Sequence, residues 1–115
     1  MTGLGVLLAI VASPMAEGYA KSPQASQPTH QVVVEEKLPV PMRDGVKLAA
    51  KVYRPAAQGK FPTLLMRRYW QIGDEEARYF APRGYAVALV DSRGRGASEG
   101  EWELYVHEPN DGFDT

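Results

Sequence analysis

The sequence predicts an α/β fold that opens with an antiparallel hairpin and continues into a β-α-β unit. Three features carry that expectation. A β-branched run, Val32-Val33-Val34, and an alternating stretch from Val46 flank Arg43-Asp44-Gly45, whose Asp-Gly step is a strong hairpin turn signal. Two short apolar runs, Thr63 to Met66 and Tyr85 to Val90, lack polar alternation, as expected of strands covered on both faces. Between them lies a segment with the end signals of a helix, and a strand-helix-strand order makes the two flanking strands parallel.

The elements follow in order. Gln31 to Met42 forms the first strand and Val46 to Arg54 the second. In the second, Val46, Leu48, Ala50 and Val52 alternate with Lys47, Ala49, Lys51 and Tyr53, which gives one apolar and one wetter face. Pro55 to Lys60 is a loop, and Phe61 to Trp70 holds the third strand. Asp74 is placed to cap a helix, with Glu75 and Glu76 at its positive end and Ala77, Phe80 and Ala81 as its buried face. Pro82 and Gly84 end it. The fourth strand, Tyr85 to Val90, runs into the loop Ser92-Arg93-Gly94-Arg95-Gly96-Ala97, so the order is β-β-β-α-β.

Composition bounds the function. The 115 residues are 44% hydrophobic and 23% charged, the balance of one globular domain. A net charge of -1 with no basic run leaves no electrostatic footprint for nucleic acid. Gly3 to Ala12 is an apolar run too short to span a bilayer, and Gly18-Tyr19-Ala20 supplies small residues for signal-peptide cleavage before Lys21. Residues 1–20 therefore read as a signal peptide, with export to the periplasm or medium. No Lys or Arg precedes the run, so an ordinary buried segment in a cytoplasmic protein remains the other reading. Residues 21–30, rich in Pro, Ser and Gln, read as a flexible linker, which leaves 31–115 as the folded part. The chain has no cysteine, so it has neither a disulfide nor a lipoprotein anchor. His30 falls in the linker and His107 in a loop, and no cluster of ligand-type side chains supports a metal site.

Gly96-Ala97-Ser98-Glu99-Gly100 spells G-x-S-x-G, the pattern of a nucleophile elbow. An elbow needs a strand immediately before the serine and a helix immediately after it, and Ser98 has neither. His107, the one later histidine, lies too close along the chain to be a separately positioned base. Gly94, Gly96 and Gly100 follow a strand, yet their spacing is one residue too long for a dinucleotide fingerprint, and no P-loop lysine completes it. The remaining reading is a turn built on glycine, with Arg93 and Arg95 pairing to local carboxylates such as Asp91 or Glu99.

Three segments carry a family resemblance: VPMRDGVKLAAKVYRP (40 to 55), GYAVALVDSRGRGASEGEW (84 to 102) and EPNDGFDT (108 to 115). Together they resemble the opening of the CocE/NonD hydrolases, which include cocaine esterase, α-amino acid ester hydrolases and glutaryl acylases and are similar to Xaa-Pro dipeptidyl-peptidases. The D-x-R-G-x-G-x-S-x-G block, Asp91 to Gly100, is far more specific than G-x-S-x-G alone. The resemblance implies the N-terminal portion of an α/β-hydrolase fold, incomplete as given. It implies that Asp91 organises a loop, and that the nucleophilic serine, its acid and its histidine come after Thr115. It also implies that Tyr69 is an oxyanion-hole donor, although Arg67-Arg68 precede it where relatives commonly carry Thr-Pro. On its own residues Tyr69 reads equally as a strand-end aromatic capping the core, and Trp70 as an interface aromatic.

The function expected is thus that of an exported serine hydrolase acting on a small-molecule or short-peptide ester or amide. No cofactor, nucleic acid or stable membrane anchor is called for, and these residues alone would be inactive. The alternative is a truncated, non-catalytic remnant or a small partner-binding domain.

Overall fold

The computed structural model describes residues 25–70 and 73–115, so the expected signal peptide lies outside the described residues, as does the start of the expected linker. Strands β1 (Val32–Pro41), β2 (Lys47–Pro55), β3 (Thr63–Arg68) and β4 (Ala86–Asp91) form one sheet in the order β1-β2-β4-β3. Helix α1 (Glu75–Phe80) runs on into a 3-10 turn, Ala81–Arg83, and crosses from β3 to β4. Helix α2 (Glu108–Asp114) closes the chain.

The hairpin forms where Asp-Gly predicts it. Gly45 takes φ +87°, a conformation that a side chain disfavours, and its N–H donates to the Met42 carbonyl at 2.9 Å. Register then runs antiparallel from Pro41↔Lys47 to Val32↔Pro55, interrupted between Glu35 and Leu38. Lys37 sits at that irregularity with φ +56°. The bulged strand brings Glu36 to Lys51 of β2, Oε1 to Nζ 3.0 Å. β2 pairs antiparallel with β4, and β3 runs parallel to β4 from Thr63↔Ala86 to Arg68↔Asp91.

Both faces of the sheet hold a core. Tyr53, Val87 and Leu89 pack with Ala77 and Ala81. These two alanines, four apart and wholly buried, let the helix backbone seat close to the strands. On the opposite face Met42, Leu48, Ala50 and Val90 pack under Leu38, Val40 and Val46 of the hairpin. Gly84, in a left-handed conformation with φ +95°, ends the crossover as its sequence position predicts.

Three expectations are corrected. Tyr53, placed by alternation on the wetter face, is 2% exposed, because α1 covers that end of β2. The apolar run of β3 was expected to be covered on both faces, yet Leu64 and Leu65 are 36% and 51% exposed. β3 is the sheet edge and pairs with β4 alone among the described residues, so little lies over it. Asp74 precedes α1 without a side-chain capping bond; only its carbonyl contributes, accepting from Arg78 N–H at 2.9 Å. Its carboxylate is drawn instead to cations and to a phenol on the sheet. His107 lies in a bend, as expected, and caps the start of α2, a helix the sequence did not suggest. Pro109 at the first turn and the acids Glu108 and Asp111 favour a helix start there, although Asn110 and Gly112 weaken the pattern.

Candidate active site

The parallel pair β3 and β4 ends at Arg68↔Asp91, and both following loops leave from those carboxyl ends, where α/β sheets bind ligands. Arg68 and Asp91 are buried and bonded to each other, Nη2 to Oδ1, at 3.0 Å. Arg68 also reaches Asp74 at 3.4 Å. Asp74 accepts from Lys51 Nζ at 2.8 Å and from the Tyr53 hydroxyl. These donors, Lys51 foremost and Tyr53 next, hold the Asp74 carboxyl below its usual range, while Asp74 raises the Lys51 ammonium well above its own. A cleft of about 410 Å³ opens over this network, lined by Lys51, Arg68, Asp74, Arg78, Asp91 and Ala97.

The Asp91-to-Gly100 motif is a set of clamps. Asp91 gives one oxygen to Arg68 and the other to the Ala97 N–H at 3.3 Å, so it organises the loop as expected. A methyl group at Gly96 would lie 2.2 Å from the Asp91 carboxylate, and one at Gly94 would lie 2.3 Å from the Trp102 amide nitrogen. Both glycines are needed for close approach as well as for positive φ. Glu99 ties the loop to the start of β2, its N–H donating to the Lys47 carbonyl and its carboxylate accepting the Lys47 N–H, both at 3.0 Å.

Ser98 belongs to the same scaffold. Its hydroxyl donates to the Asp91 carbonyl at 2.5 Å and accepts from the Ala49 N–H at 2.8 Å. No histidine attends it: His107 bonds Glu103 at 3.0 Å, and His30 stacks edgewise on Phe61. G-x-S-x-G here spells a loop anchor, which the missing flanking elements had indicated.

Arg93 does not pair with Asp91 or Glu99 as expected. It grips both oxygens of Asp111 in α2, at 2.9 and 2.7 Å, and reaches Asp44 in the hairpin turn at 2.7 Å. Two more arginines dock the same helix, Arg67 on Glu108 at 2.7 Å and Arg43 on Asp114 at 2.7 Å. Glu108, Asp111 and Asp114 recur every three residues and so lie along one side of α2. That acidic spacing was the one signal in the sequence for this ladder. Arg95 also departs from expectation, because it has no carboxylate partner among the described residues; it lies 4.0 Å from the Trp102 ring centroid and 5.3 Å from that of Trp70.

Tyr69 follows the last residue of β3 and begins the connection to α1. It is half-buried beside Glu108. Desolvation, then the Glu108 carboxylate, raise the phenol above its usual 10.0, against a smaller opposing pull from Arg67. The hydroxyl therefore stays protonated and able to donate at neutral pH. Trp70 beside it is 66% exposed.

A sheet in the order β1-β2-β4-β3, with the parallel strands β3 and β4 joined by a crossover helix and a glycine loop leaving β4, is the N-terminal portion of an α/β-hydrolase fold. Residues 44–115 match the X-Pro dipeptidyl-peptidase (S15) family. The chain belongs to that family. It is 41% identical over 90 residues to the cocaine esterase of Rhodococcus sp. (strain MB1 Bresler), an alignment covering 71% of this chain and 16% of the esterase. Among solved structures, an α-amino acid ester hydrolase superposes with a TM-score of 0.51 at 25% identity, covering 81% of this chain and 18% of the other. A CocE/NonD family hydrolase from Staphylococcus aureus gives a TM-score of 0.51 at 23% identity over 58% of this chain and 16% of its own. The CocE/NonD resemblance expected from the three sequence segments is thereby met.

Proposed function

We propose that this chain is the N-terminal part of an exported serine hydrolase that transfers the acyl group of an ester or amide, aminoacyl substrates included, to water. The observation that carries the reading is the place of Tyr69, in the loop between a parallel strand and its crossover helix. α/β-hydrolases draw an oxyanion donor from that loop and complete the hole with the amide that follows the nucleophile. A phenol is a neutral donor on a rigid ring, suited to charge that develops only in the transition state.

The nucleophile, its acid and its histidine lie outside this chain. Two observations support this: the Ser98 hydroxyl is committed to the Ala49 and Asp91 backbone, and the chain aligns with 16% of the cocaine esterase. Exposed Leu64 and Leu65 on edge strand β3 suit coverage by a further strand, which would end beside Tyr69. In the reaction, the serine oxygen attacks the substrate carbonyl as histidine takes its proton. Tyr69 and a backbone amide hold the oxyanion. Its collapse expels the leaving group, which receives the proton from histidine, and water then repeats the sequence on the acyl-enzyme.

Replacing Tyr69 with Phe in the full-length protein tests the assignment. Loss of one oxyanion donor lowers kcat by about 100- to 1000-fold with little change in fold. An unchanged kcat would remove Tyr69 from the site. Burst kinetics with a chromogenic ester from the isolated 115-residue chain would overturn the placement of the nucleophile elsewhere. Export is tested by the N-terminus of the mature protein, expected at Lys21; a cytoplasmic protein still beginning at Met1 would remove that part of the proposal.

The open β3 edge also favours one other reading, a small domain that binds a partner through its sheet. Soluble monomer with a single cooperative thermal transition from the isolated chain would support it.

A further inference from the structure

We infer that Arg95, stacked against Trp70 and Trp102, is a recognition point for a carboxylate on the substrate. The inference rests on the hydrolase reading above and names a substrate class for that site. Four arginines of this end of the molecule, Arg43, Arg67, Arg68 and Arg93, are each bonded to at least one carboxylate. Arg95 has none, and makes no side-chain hydrogen bond among the described residues. Asp91 and Glu99, its nearest acids along the chain, are both taken, the first by Arg68 and the Ala97 amide and the second by the Lys47 amide.

Stacking changes what such a cation can do. The guanidinium sits 4.0 Å from the Trp102 ring centroid and 5.3 Å from that of Trp70, with Nε buried and unbonded. The half-buried side chain therefore presents its two terminal amino groups as its available donors. Indole faces attract the cation and limit its rotation without using its in-plane N–H groups. Those groups match the two oxygens of a carboxylate in a fork, at a lower ordering cost than a free arginine would incur. The position is also pertinent. Trp70 is covalently next to Tyr69, and the loop bearing Arg95 leaves β4 beside the end of β3. A substrate whose carbonyl oxygen meets Tyr69 would thus place a carboxylate on its acyl chain, or on its leaving group, within the same loop cluster.

The test uses the full-length protein and two chromogenic esters of equal chain length, mono-p-nitrophenyl adipate and p-nitrophenyl hexanoate. The native protein should favour the adipate, and Arg95→Gln should reduce the ratio of the two kcat/KM values by roughly 10- to 100-fold, the range for a charge-assisted bond. Arg95→Lys, which keeps the charge but loses the fork, should recover part of it. A ratio unaltered by Arg95→Gln overturns the inference while leaving the hydrolase reading intact. Tryptophan fluorescence titrated with monomethyl adipate separates the remaining cases. Saturable quenching that disappears in Arg95→Gln, in a protein that cleaves neither ester, keeps the carboxylate site and refutes the hydrolase. Absence of quenching in the native protein refutes the site.

Discussion

Arg93 holds both carboxylate oxygens of Asp111, Nε to Oδ2 at 2.9 Å and Nη2 to Oδ1 at 2.7 Å, with Asp111 only 1% exposed. A buried ion pair is weak evidence of net stabilisation, since its desolvation cost is of the same order as its attraction. Removing one partner is a different matter, because Arg93 then stays buried with only the half-exposed Asp44 as its carboxylate. Asp111→Asn should therefore cost about 3 to 5 kcal/mol, read as a fall in the urea midpoint of the full-length protein at unchanged slope. A loss within about 0.5 kcal/mol would show that α2 docks without this pair.

Ser98→Ala separates an anchor from a nucleophile. The substitution strands the Ala49 N–H and frees the Asp91 carbonyl, both now bonded to the hydroxyl. We expect a stability loss of about 1 to 3 kcal/mol by thermal unfolding, with ester hydrolysis retained. Abolished turnover in a folded variant would restore Ser98 as a catalytic candidate.

Two glycines with similar backbone angles should differ in cost. Gly45 (φ +87°) has open space where a methyl would go, so Gly45→Ala carries the left-handed strain alone, about 1 kcal/mol. Gly94 (φ +66°) has the Trp102 amide nitrogen 2.3 Å from that methyl position, so Gly94→Ala adds a clash with backbone that has little room to yield. Equal midpoints for the two variants would contradict the close approach.

Acid should loosen α2 and the hairpin turn together. Arg43, chiefly by hydrogen bonding, lowers the Asp114 carboxyl from its ordinary 3.8 to about 2, and Arg93 likewise lowers Asp44. A carboxyl with a depressed folded pKa stabilises fully above its unfolded value and loses that contribution as pH falls through the folded one. Stability should thus decline as pH drops from about 5 towards 2, and Asp114→Asn should flatten part of the slope. A native protein with the same denaturation midpoint at pH 5 and pH 2.5 would exclude this linkage.

Much of the sheet was legible because its signals are local. Asp44-Gly45 fixes a turn whatever surrounds it, and the apolar runs of β3 and β4 mark strands by composition. What covers a strand is not local. The run Thr63 to Met66 reads the same whether it lies at the centre or at the edge, and the edge position of β3 follows from the crossover to β4. Tyr53 was misplaced for the same reason, since α1 arrives from more than twenty residues away. At the candidate site, Tyr69 and the loop role of Asp91 were reached through family resemblance, while the arginine ladder on α2 escaped. Arg43 and Asp114 are 71 positions apart, and the acidic spacing on α2 does not say which cations it meets.

Arg93 also bridges the Asp44 turn and Asp111 of α2. Two segments remote in sequence therefore share a fastener, and opening one exposes the other. In a hydrogen-exchange experiment the amides of Gly45, bonded to Met42, and Thr115, bonded to Asp111, should lose protection with one common opening free energy. Helix α2 and the first hairpin would then behave as a single cooperative unit, although β3, α1 and β4 lie between them along the chain.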